Sequence, residues 1–488
     1  MPAIPVVRSP LRLRPDPTRL ITKPYLSDHG TAEGLARNQR VIQRVLGLTP
    51  ADVRKTLGEL RVSFGGRHGD LDGVFRRGFA AVGHLVPDAA ALSDDMRLLV
   101  GSYFMHEYSL EGAALTNPSI VAAPDQSEAS PGTVRVIVSV RAVGEGHLSS
   151  IEFRTGYVGP TGNIHLDPAG VPVTGHRRAP MFDRELFIAK LEEMGAVDDL
   201  VRRTLGGLDE RFTMANLDDA LASLAQEEAP STAAQHLIQV IHWLAASNYE
   251  LTFPDESDLP QRVLFPDGPT ESRGMEDARL VRFVAPDGSA VYYATYTAFD
   301  GFNILPQLIE TRDFQTFRIA TLNGRAARNK GMAIFPRRVG GYFAALARYD
   351  GESNYFMRSD NVRFWHDAEQ IQFPAARWEL TQIGNAGSPM ETEVGWLMIT
   401  HGVGPMRRYA LGAMLLDIDD PTHVIGQLRE PLLEPGETER DGYVPNVVYS
   451  CGSLIHDGRL VITYGASDTF TRFASLEVDA LLTELTRS

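Results

Sequence analysis

The chain has 488 residues, of which 43% are hydrophobic and 22% are charged, and its formal net charge is −15. This composition is ordinary for a globular protein and excludes a fibrous or wholly disordered chain. A net acidic chain is a poor candidate for nucleic-acid binding, so an anionic ligand would need a local cluster of cations. The one cysteine, Cys451, excludes an intramolecular disulfide and a cysteine-based zinc site.

The features that bear on location all agree. The first twenty residues contain prolines and arginines where a secretion signal needs a continuous apolar core. No apolar run reaches the length of about 18 residues that a membrane span requires. A single cysteine suits a reducing compartment. We therefore expect a cytoplasmic protein that binds neither membrane nor nucleic acid.

The spacing of apolar residues changes several times along the chain. The predicted segments are an extended arm, a helical N-terminal region, a first set of strands, a helical insertion, many short strands and a C-terminal helix: 1–30, 31–110, 111–182, 183–247, 248–477 and 478–488. Many short strands separated by turns are typical of a sandwich, a barrel or a propeller. Without a strong internal repeat, the pattern alone does not choose among these three.

Two adjacent carboxylates, Glu276 and Asp277, lie between Arg273 and Arg279 just before a predicted strand. Side chains alternate along a strand, so the pattern predicts that only one of the two enters a given cleft. A nearby arginine would keep an exposed carboxylate ionised, whereas burial would raise its pKa toward general-acid chemistry. The same spacing also fits a surface turn with ion pairs, which are common and weak.

Cations follow at the ends of later strands. Lys330 precedes the apolar run GMAIF and Arg348 ends the next predicted strand, so a hairpin would bring them together. Such a pair suits an anionic co-substrate, although solvent-facing charges at strand ends fit the pattern too. His401 ends another strand before the turn GVGP, where glycine lets a ligand approach closely. A structural histidine is the alternative there.

Polar residues early and late in the chain complete the candidate set. Asn117 precedes and Arg141 ends an apolar strand, and Asp468 follows the run VITYGAS, where it either bonds sugar hydroxyls or closes a turn. Glu145 and His147 lack a third ligand at metal-binding spacing, so no metal site is expected. The chain has neither a GxxxxGKS or GxxxxGKT loop nor a GxGxxG between strand and helix, so nucleotide chemistry is unsupported.

Several runs carry a family pattern when they are taken in order. They are GMEDARL, YYATYTAFDG, NKGMAIFPRRVGGYFAALAR, GNAGSPMETEVGWLMITHGVG and GYVPNVVYSCGSLIHDGRLVITYGASDT. This series resembles glycoside hydrolase family 130, the β-mannoside phosphorylases and β-mannosidases. The resemblance is dense over 262–475, and ALTNPSIV with VIVSVRA over 113–142 is similar to the family's first propeller blade. Residues 1–105 and 183–247 match nothing in the usual, shorter members.

The resemblance implies an all-β five-bladed β-propeller with its site in the central depression, here with a helical N-terminal region and a helical insertion. It also implies inverting phosphorolysis of a β-mannoside to α-mannose 1-phosphate. Asp277 matches the family's general acid, which acts through a hydroxyl of the bound mannose, while phosphate attacks the anomeric carbon from the opposite face. Because phosphate is already a competent nucleophile, such a site needs cations instead of a second carboxylate base.

The motif positions assign the other site residues. Phosphate-binding groups are expected at Lys330, Arg348 and His401. Contacts to the mannose or the adjoining sugar are expected from residues of several blades: Asn117, Arg141, Glu276, Arg279, Tyr296, Asp300, Tyr409 and Asp468. The implied partners are a mannose-containing oligosaccharide and inorganic phosphate, with no cofactor. The added helices are compatible with a lid or with a homo-oligomer interface.

One departure and two alternatives stay open. The family run EDPR reads EDAR here, because Ala278 replaces the proline, which loosens the turn but keeps the acid. An inverting β-mannosidase on the same propeller, acting for example on β-1,2-mannosides, would need Glu276, Glu391 or Glu393 as the base that activates water. A non-catalytic sugar-binding propeller would show no turnover. The cations described above favour the phosphorylase.

Overall fold

The computed structural model describes most of the chain: residues 4–27, 31–197, 199–227 and 232–487. The chain divides into two compact units, one formed by Pro17–Leu110 and the other by Met1–Asp16 together with Glu111–Ser488. The smaller unit is mainly helical, and the larger one is mainly β. No described helix has both the length and the apolar character that a membrane crossing would need.

The smaller unit is a helical cluster with one pair of strands. Its described helices and strands are Leu20–Pro24, Ala32–Leu46, Pro50–Phe64, Leu71–Val82, Gly83–Leu85, Ala89–Ala91, Asp94–Ser102 and Met105–Ser109. Two helices start where the sequence signals a cap, since the side chain of Thr49 accepts the N–H of Asp52 and that of Ser93 accepts the N–H of Met96. The apolar faces of the helices share one core around Leu99.

Within the described residues, the larger unit contains one sheet of 12 strands, two sheets of four strands, one of five strands and one separate pair of strands. We divide the 12-stranded sheet into two parts, which gives five groups of mainly antiparallel strands in chain order, called sheets 1 to 5. Sheet 1 consists of Ala114–Ala122, Val134–Val143, Ser149–Val158 and Ile164–Leu166, and sheet 2 of Gly274–Val284, Ala290–Phe299, Ile304–Thr311, Thr316–Thr321, Tyr249–Thr252 and His176–Arg178. Sheet 3 consists of Ala333–Ile334, Phe343–Ala347, Asn354–Ser359 and Glu369–Gln372, and sheet 4 of Gln382–Asn385, Met390–Thr392, Gly395–Val403, Tyr409–Leu416 and Val424–Gln427. Sheet 5 consists of Val448–His456, Arg459–Ala466, Phe470–Glu477 and Val7–Leu13. One parallel pair, Ser149 with Gly274, makes sheets 1 and 2 continuous.

The five sheets form a closed series of contacts. Each sheet contacts the next, and sheet 5 contacts the first strand of sheet 1. The N-terminal strand Val7–Leu13 pairs antiparallel with Phe470–Glu477, so sheet 5 combines both ends of the described chain. Where the sequence predicts an extended arm over 1–30, the structure therefore has a strand that covers the edge of the last sheet. Covering an edge in this way removes a row of unpaired backbone groups.

The starts of the first strands come together. The first strands of sheets 1, 2 and 5 contact one another, and that of sheet 3 contacts sheet 2. Buried hydrogen bonds join them, because Ser119 Oγ accepts the N–H of Leu280 at 3.1 Å and Asn385 Nδ2 donates to the carbonyl of Gly331 at 2.5 Å. We call the region where these first strands meet the central hollow, after the central depression that the family resemblance implies.

Helices also lie within and after the sheets. The helical insertion consists of Arg184–Glu193, Asp199–Gly206, Met214–Glu227 and Thr232–Ala246. The short strands Phe182–Asp183 and Arg211–Phe212 pair with each other, whereas Arg262–Leu264 pairs with Val173–Thr174 and with Ser149–Val158 of sheet 1. The insertion packs around its own core, which includes Phe187 and Leu191. The C-terminal helix Val478–Leu485 buries Leu481 in the core of sheets 4 and 5. A mainly β body with helices before and inside it agrees with the coarse fold expected from the sequence.

Glu439 holds the closure of sheet 5. Its buried carboxylate accepts hydrogen bonds from Tyr464 Oη at 2.7 Å and Arg472 Nη1 at 2.6 Å, and Arg472 Nη2 donates to the carbonyl of Ser9 at 3.0 Å. We expect Glu439→Ala to lower the free energy of unfolding by about 3–5 kcal/mol, because Arg472 would stay buried without its counter-charge. Urea unfolding measures the change.

The matched control for this prediction lies in the same turn. Glu437 is exposed and only two residues earlier, so Glu437→Ala should change the free energy of unfolding by less than about 0.5 kcal/mol. Equal urea midpoints for the two variants would contradict the role given to Glu439.

Candidate active site

Backbone irregularities direct side chains at the strand starts. The first strands of sheets 1, 2 and 5 shift register between Thr116 and Ser119, between Glu276 and Arg279, and between Tyr449 and Gly452. Inside two of these bulges, Asn117 and Asp277 have φ angles of 48° and 58°, in the left-handed region that Asn and Asp enter more readily than most residues. A bulge interrupts the alternation of side chains along its strand.

The bulge in sheet 2 corrects one expectation from the sequence. Glu276 forms ion pairs with Arg141 and Lys330, and the charge of the same two cations acts on Asp277. Both carboxylates are therefore within reach of the same two cations, which alternation to opposite faces does not predict. The physical reason is that strict alternation applies to a regular strand, not to a bulged one.

Asp277 is buried, with 7% of its surface exposed, and its carboxylate is held from both sides. Asn117 Nδ2 donates a hydrogen bond to Oδ1, and the Tyr449 hydroxyl lies 3.4 Å from Oδ2. Thr116 Oγ1 donates to the amide oxygen of Asn117 at 3.0 Å, which fixes the orientation of that amide. The carboxylate of Asp277 is thus positioned by donors from sheets 1 and 5.

The charge state of Asp277 follows from its neighbours. Burial raises the pKa of its carboxyl, but the positive charges of Arg279, Lys330 and Arg141 and the hydrogen bond from Asn117 outweigh burial and lower the pKa below its usual value. Asp277 is therefore ionised in the ligand-free protein. Any ligand that neutralises the surrounding cations would raise its pKa again.

Glu276 is shared between two cations. Arg141 Nη2 lies 2.8 Å from Oε1 and Lys330 Nζ lies 2.6 Å from Oε2, so both carboxylate oxygens are occupied. Arg141 keeps one buried atom, Nε, without a hydrogen-bond partner among the described residues. This arrangement links sheets 1, 2 and 3 at the hollow through two ion pairs of one carboxylate.

Unlike Arg141 and Lys330, Arg348 takes part in no ion pair among the described residues. Its Nη1 lies 3.2 Å from His401 Nε2, and its buried Nε has no hydrogen-bond partner in the part of the chain that the structure describes. His401 Nδ1 lies 3.0 Å from the carbonyl of Asn385. Arg348 therefore brings a positive charge to the hollow without a carboxylate to compensate it.

His401 is a neutral ring in this setting. Burial, together with the charges of Arg348 and Arg279, lowers its pKa well below the usual value. The neutral tautomer that satisfies both contacts has the Nδ1 proton donated to the carbonyl of Asn385 and Nε2 accepting from Arg348. Both ring nitrogens are thus occupied, and the imidazole fixes the direction of the guanidinium.

Arg279, a buried side chain, connects three sheets around the hollow. It donates to Asn385 Oδ1 at 3.2 Å, to Tyr449 Oη at 2.7 Å and to the carbonyl of Asp277 at 3.0 Å. The Tyr449 ring also packs edge-on against His401, with 4.8 Å between ring centroids. This buried network keeps the acid and the cations of the hollow in one arrangement.

Two more predicted residues lie beside the same network. The Tyr409 ring stacks with His401 at 6.3 Å between centroids. Asp468 follows the second strand of sheet 5, and burial and the nearby charges of Asp277 and Glu276 raise the pKa of its carboxyl despite the opposing effect of Arg141. Asp468 and Asp277 are therefore carboxyls with opposite pKa shifts within one site.

Tyr296 and Asp300 take no direct part in this network. The hydroxyl of Tyr296 bonds the carboxylate of Glu271 within the core of sheet 2. The carboxylate of Asp300 accepts the backbone N–H groups of the second and third residues after it, at 2.8 and 2.6 Å, and so closes a turn. Among the described residues, neither side chain forms a hydrogen bond or ion pair with Asp277 or its cations.

Asn385 and Tyr449 are the site residues that sequence reasoning did not single out. Both lie inside runs that carry the family pattern, GNAGSP and VVYSCGS. The usable signal was a polar or tyrosine side chain next to small residues at a strand end, since Asn385 ends one strand and Tyr449 is the second residue of another. Glu391, one of the alternative bases, instead pairs with Arg337 at 2.6 Å near the hairpin at the opposite end of sheet 4 from His401.

The comparisons with known proteins agree on one family. The family model for glycoside hydrolase family 130, described as beta-1,4-mannooligosaccharide phosphorylase, matches residues 254–487. A 1,2-beta-oligomannan phosphorylase from Thermoanaerobacter sp. (strain X514) is 34% identical over 228 residues, covering 45% of this chain and 74% of that relative. A beta-1,2-mannobiose phosphorylase from Listeria innocua is 29% identical over 229 residues, covering 46% of this chain and 63% of that relative.

A solved structure matches over a longer stretch. The beta-1,2-mannobiose phosphorylase from Listeria innocua, in complex with beta-1,2-mannobiose, is 20% identical with a TM-score of 0.47, covering 78% of this chain and 94% of that chain. The segment matched by the family model contains Asp277, Lys330, Arg348 and His401. On the sequence identity to the oligomannan phosphorylase over most of that relative's length, this chain belongs to glycoside hydrolase family 130.

Proposed function

We propose that this protein is an inverting β-mannoside phosphorylase, which transfers a mannosyl group from a β-mannoside to inorganic phosphate and releases α-mannose 1-phosphate. The observation that carries the proposal is Arg348, a cation at the central hollow without an ion-pair partner among the described residues. The related oligomannan and mannobiose phosphorylases support the substrate class. The reaction needs phosphate as co-substrate and no metal ion or organic cofactor.

We infer that the five sheets are the blades of a five-bladed β-propeller. Support comes from the closed series of contacts between successive sheets and from the N-terminal strand that completes the last one. In such a fold the first strands are innermost, so residues at their starts meet on the axis although they are far apart in sequence. Asn117, Asp277 and Tyr449 lie in the first half of such strands, Lys330 lies shortly before one, and Asn385 ends the first strand of sheet 4.

Phosphate, in this proposal, binds Arg348 and Lys330. A phosphate oxygen at Arg348 would supply a negative charge and the acceptor that its Nε lacks among the described residues. Each charge-assisted hydrogen bond of this kind contributes about 1.5–3 kcal/mol. His401 orients Arg348 through Nε2 and does not itself carry charge, so its part is positioning, not direct attraction of the anion.

Asp277 is the proposed general acid, and phosphate prepares it for that role. In the ligand-free protein the cations keep Asp277 ionised, which suits a base but not an acid. Phosphate beside Arg348 and Lys330 offsets that positive field and allows Asp277 to take up a proton. As the family resemblance implies, the proton then reaches the leaving oxygen through a hydroxyl of the bound mannose.

The remaining polar groups suit the mannose itself. Asn117, Arg141 and Asp468 surround Asp277 from sheets 1 and 5 and offer donors and acceptors to sugar hydroxyls. Their side chains are partly or fully buried, so each hydrogen bond is formed where water competes little. We therefore propose that they hold the sugar whose anomeric carbon reacts.

The hydrolase alternative lacks a suitable base. Glu276 is neutralised by Arg141 and Lys330, and Glu391 pairs with Arg337. Glu393 is exposed in the same hairpin as Glu391, about six residues of strand, or roughly 20 Å, from the level of His401. A water-activating carboxylate would need to be free and opposite Asp277. These placements favour phosphate as the nucleophile.

Asp277→Asn tests the acid. The amide keeps the size of the side chain but cannot give up a proton, so we expect the rate of β-1,2-mannobiose phosphorolysis to fall about 10²- to 10⁴-fold. Calorimetry should still detect mannobiose binding. Asp360→Asn changes an exposed aspartate and should keep the wild-type rate.

The acid assignment fails if Asp277→Asn turns over at the rate of the wild type. A wild type that binds mannobiose and never cleaves any mannoside would instead favour the sugar-binding alternative.

Arg348→Met tests the phosphate site. We expect the KM for phosphate to rise by about 10- to 150-fold, because a charge-assisted contact is lost, while the KM for mannobiose changes far less. Arg358→Met is the control, because Arg358 is an exposed arginine of the same sheet. It pairs with Ala344, near the start of the strand Phe343–Ala347, whereas Arg348 directly follows the end of that strand. A proportional rise in both KM values would point to general damage and count against the assignment.

A further inference from the structure

Exposed aromatic rings lie on loops next to the central hollow. Phe302 has 95% of its surface exposed, Tyr443 has 59%, and the ring of His147 is exposed as well. Large aromatic surface in water is unfavourable, and aromatic rings that remain exposed beside a polar site are a frequent feature of ligand-binding surfaces. The proposed chemistry has so far used none of these three residues.

Phe302 is held outward by its own loop. The carboxylate of Asp300 accepts the N–H of Phe302 at 2.8 Å and that of Asn303 at 2.6 Å, and Asn303 Nδ2 donates to it at 3.0 Å. The turn is therefore closed by the side chain of Asp300, and the phenyl ring points away from it into solvent. This gives Asp300 a positioning part instead of the direct sugar contact expected from the sequence.

The register of sheet 2 places that loop above the acid. Phe299, the last residue of its strand, pairs with Gly274, and Thr297 pairs with Glu276, directly before Asp277. The loop with Phe302 starts one residue beyond Phe299. At about 3.4 Å per residue, this loop lies roughly 10 Å beyond the level of Asp277, at the mouth of the hollow.

Tyr443 and His147 form a pair on the neighbouring part of the mouth. The Tyr443 hydroxyl lies 3.3 Å from His147 Nδ1, and the ring centroids are 5.4 Å apart at 31°. The Tyr443 N–H donates to Thr469 Oγ1 at 2.8 Å, which places this tyrosine beside Asp468. The pair spans sheets 5 and 1 above the groups proposed to hold the mannose.

Sheet 2 and sheet 1 bring Phe302 and His147 to the same part of the mouth. His147 comes two residues before Ser149, which pairs with Gly274 and whose Oγ donates to the carbonyl of Met275 at 3.0 Å. The three aromatic residues therefore belong to sheets 5, 1 and 2. The cations proposed for phosphate, by contrast, come from sheet 3, and the histidine that orients one of them comes from sheet 4.

In an inverting reaction the nucleophile and the leaving group occupy opposite faces of the reacting sugar. If phosphate attacks from the side of sheets 3 and 4, the leaving sugar must depart on the side of sheets 5, 1 and 2. The aromatic residues lie on that side. We propose that Phe302 and the Tyr443–His147 pair form the binding site for the leaving saccharide, a neutral pyranoside whose apolar ring face stacks on them. This inference rests on the proposed phosphorylase function.

The reverse reaction, in which the enzyme synthesises the glycosidic bond, tests the inference. The sugar that leaves during phosphorolysis is then the acceptor substrate, and its KM can be measured separately. The assay uses α-mannose 1-phosphate as donor and mannose or β-1,2-mannobiose as acceptor. We expect Phe302→Ala and Tyr443→Ala to raise the acceptor KM by roughly five- to twentyfold, with little change in the KM for mannose 1-phosphate. Tyr443→Phe keeps the ring and should stay within about threefold of the wild type.

The matched control is Tyr342→Ala. Tyr342 is 41% exposed and directly precedes the strand Phe343–Ala347, so it lies at the opposite end of that strand from Arg348. This variant should leave both KM values unchanged. Acceptor KM values for Phe302→Ala and Tyr443→Ala that equal the wild type, or that rise together with the donor KM, would overturn the inference.

Calorimetric binding of β-1,2-mannobiose and β-1,2-mannotriose separates this inference from the function on which it rests. If the wild type makes and consumes no mannose 1-phosphate, the phosphorylase proposal fails, and binding alone decides the aromatic site. Weaker binding to Phe302→Ala and Tyr443→Ala, but not to Tyr342→Ala, would then still support stacking. Equal binding by all variants, or no binding by the wild type, would overturn it.

Discussion

The rest of the site depends on one constraint. The positive charge where the first strands meet is only partly compensated by negative charge. Arg141, Arg279 and Lys330 lie around Asp277, and Arg348 lies next to His401 at the same meeting point, in a setting with little water. Removing four cations from water is costly unless hydrogen bonds and opposite charges replace the lost hydration. Most of this compensation is present, but among the described residues Arg141 and Arg348 each keep a buried Nε without a partner, and Arg348 has no ion pair in addition.

Each chemical property of the hollow follows from that imbalance. The cations keep Asp277 ionised and, with burial, keep His401 neutral. A neutral His401 can accept a hydrogen bond from Arg348 and so point the guanidinium without repelling it. An arriving anion would satisfy Arg348 and at the same time loosen the electrostatic hold on Asp277. In the proposed function, binding of phosphate and protonation of the acid would thus be two consequences of one charge distribution.

The backbone makes this charge distribution possible. Bulges at Asn117 and Asp277 turn adjacent side chains toward the same space, which a regular strand would send to opposite faces. Arg279 and Asn385 then join sheets that are far apart in the sequence. A substitution in this network would therefore alter both stability and the position of the acid.

The sequence predicted much of this site because its motifs are local. The expected positions of Asp277, Lys330, Arg348 and His401 needed only short runs and a family pattern, and the structure does bring these four residues to one hollow. The local pattern could not show the bulge at Glu276 and Asp277, because the prediction assumed that side chains alternate regularly along the strand.

Other features depend on contacts between distant segments. The strand Val7–Leu13 pairs with a partner more than 450 residues away, so its prolines and arginines suggested only an extended arm. Tyr296 was assigned to the site from its position in a matching run, yet its hydroxyl bonds Glu271 in the core, a pairing that only the folded sheet reveals. Helix caps such as that of Thr49 were predictable because they involve residues three apart.

The most direct measurement is the product formed from β-1,2-mannobiose with and without inorganic phosphate, followed by proton and phosphorus NMR. The account predicts α-mannose 1-phosphate and free mannose in equal amounts when phosphate is present, and no cleavage when it is absent. Release of mannose at the same rate in both conditions, or a β-configured phosphate ester, would contradict it.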